Sequence, residues 1–414
     1  MRILYVTAAL PWPLTSGYLR HYHFIRALSE RHRITLLSLV GPDHAAEDVA
    51  ALEPYLDEVI TERAARGRRS LPRKVVDRAR MLVAGGDEAA ARLGAAAADR
   101  AAERSFDVLL LSGKRTMPVL SALPSFPLVA DLCDATSSRI LSQMRDAEPL
   151  ALPSLTLEYL EVRRVERALM RRAHHALFAS ARDRAAVVGP NGGGSKLEAT
   201  PSPRTIAPAS VVPNGVDLEF WRRTERRLGS DEIVFTGAMD YPPNVDAAVQ
   251  LVEALLPQIQ RAVPSARVSI VGRDPTERVR ALAERDGVEV TGYVDDVRPY
   301  LERAAVFAAP IRHGAGIQNK LLEALAMELP VVASPLAAAG LKTEDGREPP
   351  IDVAPTPQMA EAIVARLNQA AAGAPPEPRL RAYVAEHFDW SRNAARLEGI
   401  LEHAARRGAR GTGG

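Results

Sequence analysis

The sequence predicts two doubly wound α/β domains, and three observations predict them. Short, near-continuous apolar runs alternate with helical patterns almost from end to end, as in parallel strands buried on both faces and joined by right-handed crossovers. The runs fall into two sets. Between the sets lies Gly189–Pro208, reading GPNGGGSKLEATPSPRTIAP, where glycine, proline and serine at such density hold neither helix nor strand.

The first set of strands is expected at Arg2–Thr7, Arg33–Leu39, Asp107–Ser112, Pro127–Asp131 and Ala176–Ser180. The second is expected at Glu232–Thr236, Ala266–Val271, Val288–Val290, Ala305–Pro310 and Pro330–Ser334. A chain of 414 residues accommodates two such domains, here 1–208 and 209–385. After Pro375 and Pro376 a last helical pattern runs from about Arg379 to Arg407.

Composition narrows the functional classes. Hydrophobic residues make up 47% and charged residues 25%, ordinary globular values that exclude global disorder. Lys and Arg number 53 against 51 Asp and Glu, too even for a general nucleic-acid binder. The single cysteine, Cys133, excludes an internal disulfide framework and a multi-thiolate zinc site. No apolar run approaches the roughly 18–20 residues that span a bilayer, and Met1-Arg2-Ile3-Leu4-Tyr5-Val6 does not read as a signal peptide. A cytoplasmic location is expected. Between Arg63 and Arg80 eight basic residues stand against one acid, Asp77. They read either as a solvated helix face or as a landing patch for an anionic membrane surface or a phosphorylated acceptor.

The stretch Ala309–Ala326 carries the chemistry. A strand enters a glycine turn at Gly314 and Gly316, and a helix is expected to begin near Ile317. Leu321, Leu322, Leu325 and Leu329 give that helix an apolar face. Its first turn exposes unpaired N–H groups and the positive end of the helix dipole, and two glycines let an anion approach closely. Arg312 and Lys320 flank the same helix start, where two cations are mildly unfavourable unless an anion lies between them. A shared diphosphate is expected. Glu323, one turn on, suits two ribose hydroxyls.

With these residues in view, the sequence resembles family 4 of the retaining glycosyltransferases, which have the GT-B fold of two facing Rossmann-like domains and a C-terminal crossover helix. The resemblance covers nearly the whole chain. It rests on Leu10-Pro-Trp-Pro-Leu-Thr-Ser-Gly17, Val212-Pro-Asn-Gly-Val-Asp217, Gly237-Ala-Met-Asp-Tyr-Pro-Pro-Asn244 and the 310–326 stretch. It is most similar to the exopolysaccharide and exosortase-associated sugar transferases.

The resemblance implies site residues position by position. Glu323 matches the glutamate that binds the donor ribose, and Gly314, Gly316 and Ile317 the turn at the diphosphate and donor sugar. Gly17 matches the N-terminal glycine loop facing the phosphates, and Gly237 the turn after the first strand of domain two. Gly272, Arg273 and Gly292-Tyr-Val294-Asp295 match loops around the nucleotide base. Two positions depart from the family pattern: Ala315 stands where the first glutamate of the pair belongs, and Ala238 and Pro243 replace an Arg-x4-Lys pair. Arg312, Lys320, Arg273 or Arg20 then substitute as phosphate cations.

The implied function is metal-independent transfer of a hexosyl-type sugar with retention, from a UDP-sugar rather than a GDP-sugar. The acceptor is a saccharide, lipid-linked or small molecule bound by domain one, and no separate cofactor or metal is called for. The same resemblance leaves open a GT-B sugar-nucleotide epimerase or hydrolase, or a non-catalytic nucleotide-binding scaffold. Residues 386–414 are then expected to pack back on domain one, and the enzyme to work at the inner face of the membrane. His21, following the Gly17 loop, and Asp131, ending a strand, are the catalytic candidates of domain one, with Asp134 and the neighbouring His23 behind them.

Overall fold

A computed structural model describes residues 1–14, 18–41, 46–63, 88–123, 125–145, 147–189, 206–224, 229–314 and 316–411. Two compact units emerge. One comprises Met1–Ala179, Asp183–Pro213 and Trp390–Gly414; the other comprises Asn214–Asp389 with Ser180–Arg182.

The first unit is built on seven parallel strands: β1 (Arg2–Thr7), β2 (Arg33–Val40), β3 (Glu58–Arg63), β4 (Val108–Ser112), β5 (Leu128–Cys133), β6 (His175–Phe178) and β7 (Ala209–Val211). Their spatial order is β3-β2-β1-β4-β5-β6-β7. Alternate side chains enter two separate cores. Leu4, Val6, Leu109 and Leu111 face the helix Glu88–Glu103 side, whereas Ile3, Tyr5, Val108 and Leu110 face the other. The second core includes Trp390, Ala394, Leu397, Leu401 and Ala404 of the helix Trp390–Gly411.

The second unit holds β8 (Glu232–Thr236), β9 (Arg267–Val271), β10 (Val288–Val290), β11 (Val306–Ala309), β12 (Val331–Ala333) and β13 (Asp352–Val353) in the order β10-β9-β8-β11-β12-β13. In both sheets the chain winds outward from its first strand, then returns to that strand's other side. The reversal points, β1/β4 and β8/β11, are where open α/β sheets leave a crevice beyond the carboxyl ends of the strands.

Several expected boundaries move. The break placed after Pro208 falls after Pro213 instead, because Ala209–Val211 pairs with β6 as the edge strand of the first sheet. The last helical pattern divides into Pro378–His387 and Trp390–Gly411, interrupted by Phe388 and by Asp389, which bridges to Val216. The helix expected near Ile317 starts at Asn319. Most of the Gly189–Pro208 stretch and of the basic run Arg63–Arg80 lies outside the described residues, as do Gly17 and Ala315. Among the described residues no helix is long and apolar enough to cross a membrane.

Candidate functional site

In the second unit, the carboxyl ends of β8, β9 and β11 bring the expected donor-site residues together. Gly237 follows β8 and Gly272 follows β9, and their backbones touch: a Cβ on Gly272 would lie 1.8 Å from the carbonyl oxygen of Gly237. Gly272 has φ +149°, a region L side chains rarely adopt. Two further hydrogen bonds lock these turns, Gly237 N–H to Val271 O at 3.0 Å and Met239 N–H to Arg273 O at 2.8 Å. The β11 turn arrives beside them, with Gly314 at φ 148° and Gly316 at φ 73°. It leads into the helix Asn319–Ala326, whose N-cap Gln318 makes no side-chain capping bond. Leu321, Leu322, Leu325 and Leu329 are fully buried and seat this helix on the sheet.

Lys320 does not run out to solvent. Its Nζ donates to Asn244 Oδ1 at 2.6 Å, lies 4.6 Å from the centre of the Phe235 ring, and stands 2.9 Å from where a Cβ on Gly237 would be. Alanine or anything larger at 237 would displace it. Desolvation pulls the Lys320 ammonium down to about 7, against the opposing pull of Glu323. Desolvation likewise pushes Glu323 up to about 7, opposed by Lys320. Both residues keep some surface exposure, so the two charged groups are half-buried and costly to ionise without a counter-charge.

Arg312 sits differently. It is exposed, and its Nε and Nη2 bind Asp246 Oδ2 and Oδ1 at 2.9 and 2.5 Å. The cations flanking the turn therefore have unlike holders, an amide for Lys320 and a carboxylate for Arg312. Sequence reasoning missed Asn244 and Asp246, and also Asn214, whose Nδ2 donates to Asn319 Oδ1 at 2.9 Å at the helix start. Arg273 is exposed and ion-paired with its neighbour Asp274 at 2.5 Å. Gly292 turns at φ 70°, leaving Tyr293 exposed and Val294 packed on the core. Ile317 is partly buried against the same core.

In the first unit, the candidates His21 and Asp131 lie at the β1/β4 reversal but in the interior. His21 Nδ1 is 2.8 Å from Tyr5 Oη and its Nε2 is 3.1 Å from Ser112 Oγ. Burial, partly offset by Asp131, lowers His21 to about 4, so the ring is neutral at pH 7. Asp131 accepts Arg20 Nε at 2.8 Å and Nη2 at 3.2 Å, and takes the Cys133 N–H at 3.2 Å. Although burial opposes ionisation, Arg20 holds the Asp131 carboxyl below its ordinary range. Arg20 also donates to Val212 O at 2.7 Å. The expectation that Arg20 serves as a phosphate cation gives way to this geometry, since its guanidinium is already spent inside the unit.

His21 and Asp131 are both buried and bonded to side chains of their own unit. Cys133, at φ 58°, carries the backbone strain of this corner, on the order of 1–3 kcal/mol. Asp134 accepts Lys114 and Thr136 as a loop clamp. His23 stacks on Trp390 with ring centroids 4.5 Å apart.

Comparison with known proteins follows the same division. Residues 230–369 match the family model for glycosyl transferases group 1. Solved structures extend the likeness to both units. Sucrose-phosphate synthase from Thermosynechococcus elongatus superposes with a TM-score of 0.69 at 16% identity, covering 97% of this chain and 98% of that one. HepE of Anabaena, in complex with UDP and glucose, gives 0.63 at 14% identity, covering 97% and 99%. The fold is GT-B.

Curated relatives include the phosphatidyl-myo-inositol mannosyltransferases of Mycobacterium leprae and Mycobacterium tuberculosis. They are 27% and 28% identical over 219 and 221 residues, each match covering 49% of this chain and 55% or 56% of the relative. The chain thus spans about half the length of the curated relatives it matches.

Proposed function

We propose that this GT-B chain transfers a sugar from a nucleotide-diphospho-sugar, UDP-linked in preference to GDP-linked, with retention at the transferred carbon. One observation carries the reading: the Lys320 ammonium is drawn in beside the glycine crest at the β8/β11 reversal point. The group 1 glycosyltransferase match over the same residues supports it, as do the neighbours solved with UDP and with UDP-glucose.

In this reading the N–H groups at the start of Asn319–Ala326 and the Lys320 ammonium meet the departing diphosphate, where charge develops during transfer. Arg312 adds to them once it exchanges Asp246 for phosphate. Glu323 accepts the ribose hydroxyls. Gly272, Arg273 and Val294 surround the base. Tyr5, His21, Ser112, Arg20 and Asp131 hold the carboxyl-end loops of the first unit for an acceptor. The mannosyltransferase relatives are named for a phosphatidyl-inositol, which favours a lipid-linked acceptor, reached from the inner face of the membrane.

Glu323→Ala tests the donor half. Above pH 7, where Glu323 is ionised, loss of charge-assisted hydrogen bonds worth about 1.5–3 kcal/mol should weaken UDP binding in calorimetry while the melting profile stays cooperative. Undiminished affinity for UDP would remove Glu323 from the ribose.

A further inference from the structure

The helix Pro242–Val249 holds both cations of this crest through side chains two residues apart, and the two acceptors differ in charge. Asn244 is 6% exposed; its Oδ1 accepts Lys320 and its Nδ2 donates to Ala238 O at 2.9 Å. The amide aims the ammonium at the glycine turn without neutralising it. Asp246 instead grips both guanidinium edges of Arg312, and a bidentate carboxylate cancels most of that cation's field while fixing its plane. One helix therefore holds one cation through a neutral amide and the other through a carboxylate. Desolvation adds to the contrast, because a half-buried ammonium hydrogen-bonded to a neutral amide, with the Glu323 carboxyl one turn on, gains from the arrival of an anion.

We propose that Asn244 and Asp246 are positioning residues that set the anion affinity of this site in opposite directions. Asn244 raises it by delivering Lys320, and Asp246 lowers it by competing for Arg312, so that a nucleoside diphosphate is gripped for transfer and still released afterwards. The inference rests on the reading above, in which this crest takes a nucleotide diphosphate. Neither residue touches the ligand; each acts through the cation that it holds.

The test is calorimetric titration of the full chain with UDP, GDP and ADP, using wild type, Asn244→Asp, Asp246→Asn and the double exchange. Asn244→Asp places a carboxylate on Lys320 and should weaken UDP by about tenfold or more. Asp246→Asn, on a partly exposed pair, should tighten UDP by about two- to fivefold. The double exchange leaves net charge unchanged but moves the carboxylate from Arg312 to Lys320, and should bind more weakly than wild type. Single exchanges that move affinity in the same direction, or not at all, would overturn the proposal. So would a double exchange restored to wild-type affinity, which would reduce the effect to net charge.

Because Asn244→Asp sets an oxygen against the Ala238 carbonyl, circular-dichroism melts accompany each titration. If that variant does not fold, Asn244→Ser replaces it, keeping an uncharged but shorter acceptor. Weaker UDP binding is then expected, and wild-type affinity overturns the role of Asn244. Failure of wild type to bind any of the three nucleotides would instead remove the donor reading itself, a result distinct from the others.

Discussion

Gly272→Ala is the sharpest test of how the donor crest is built. The new Cβ would sit 1.8 Å from Gly237 O and 2.8 Å from Gly237 C, where ordinary contact begins at 3.4 Å. The obstacle is backbone, so no rotamer change relieves it, and the ends of β8 and β9 must part by more than an ångström. Overpacking of this kind costs about 1–3 kcal/mol. A side chain forced into the φ +149° region adds about 1–3 kcal/mol more. Together these come to roughly 2–6 kcal/mol, which for a domain of this size lowers Tm by roughly 5–20 °C.

The displacement does not stop at the clash. Met239 N–H binds Arg273 O across the two turns, and Asn244 with Lys320 stands against Gly237. UDP affinity should therefore fall even at temperatures where the variant is folded. Scanning calorimetry reads the first effect and isothermal titration the second. A Tm within about 2 °C of wild type, with UDP affinity unchanged, would refute the claim that the two turns are locked by direct backbone contact.

Other expectations follow from the same geometry. Asp131→Asn leaves the buried Arg20 guanidinium without its carboxylate and should cost about 3–5 kcal/mol in urea unfolding; a loss below 1 kcal/mol would mean that Arg20 finds water. Arg312→Ala and Lys320→Ala should each weaken UDP, and less than additively if they share one diphosphate; full additivity would assign them separate partners. Glu323, held protonated up to about 7 in the folded chain, contributes stability that is complete below its ordinary value of 4.5 and is lost as pH rises through 7. The Tm of Glu323→Gln relative to wild type should therefore climb between about pH 5 and about pH 8, and a flat difference would remove the buried-carboxyl assignment.

Parallel strands announce themselves because both faces are buried, and β1 and β8 lie at the residues where they are expected. The strands that escape notice are those for which that reason fails. Glu58–Arg63 is an edge strand, half-buried, with only Val59 and Ile60 apolar between charged ends. Ala209–Val211 and Asp352–Val353 are too short to show a pattern and sit at or beside the sheet edges. The donor crest is legible for a related reason: glycines, cations and an acid gathered in 312–323, just after a strand, stand out in one dimension. Asn244 and Asp246 cannot be read that way, since their partners lie 76 and 66 residues along the chain. His21, in the helix Leu19–Ser29, and Asp131, in β5, show the converse: the sequence marks them as candidates, but their burial depends on Tyr5, Ser112 and Arg20, which only the folded sheet assembles.

The helix Trp390–Gly411 has a consequence for how the protein is made. It supplies Trp390, Leu397, Leu401 and Ala404 to the core that covers Ile3, Tyr5, Val108 and Leu110. β1 thus waits for the helix Trp390–Gly411, while the whole second unit, Asn214–Asp389, is synthesised in between. Nascent chains normally consolidate their N-terminal domain first. Here the second unit gains its full set of residues earlier, and the part of this face that Trp390–Gly411 covers, beside Phe24, Ile25 and Leu28 of the helix Leu19–Ser29, stays open until Trp390–Gly411 has been made. Chains released before that helix would carry the open part of this core, an exposed apolar surface of the kind that chaperones bind and that drives aggregation.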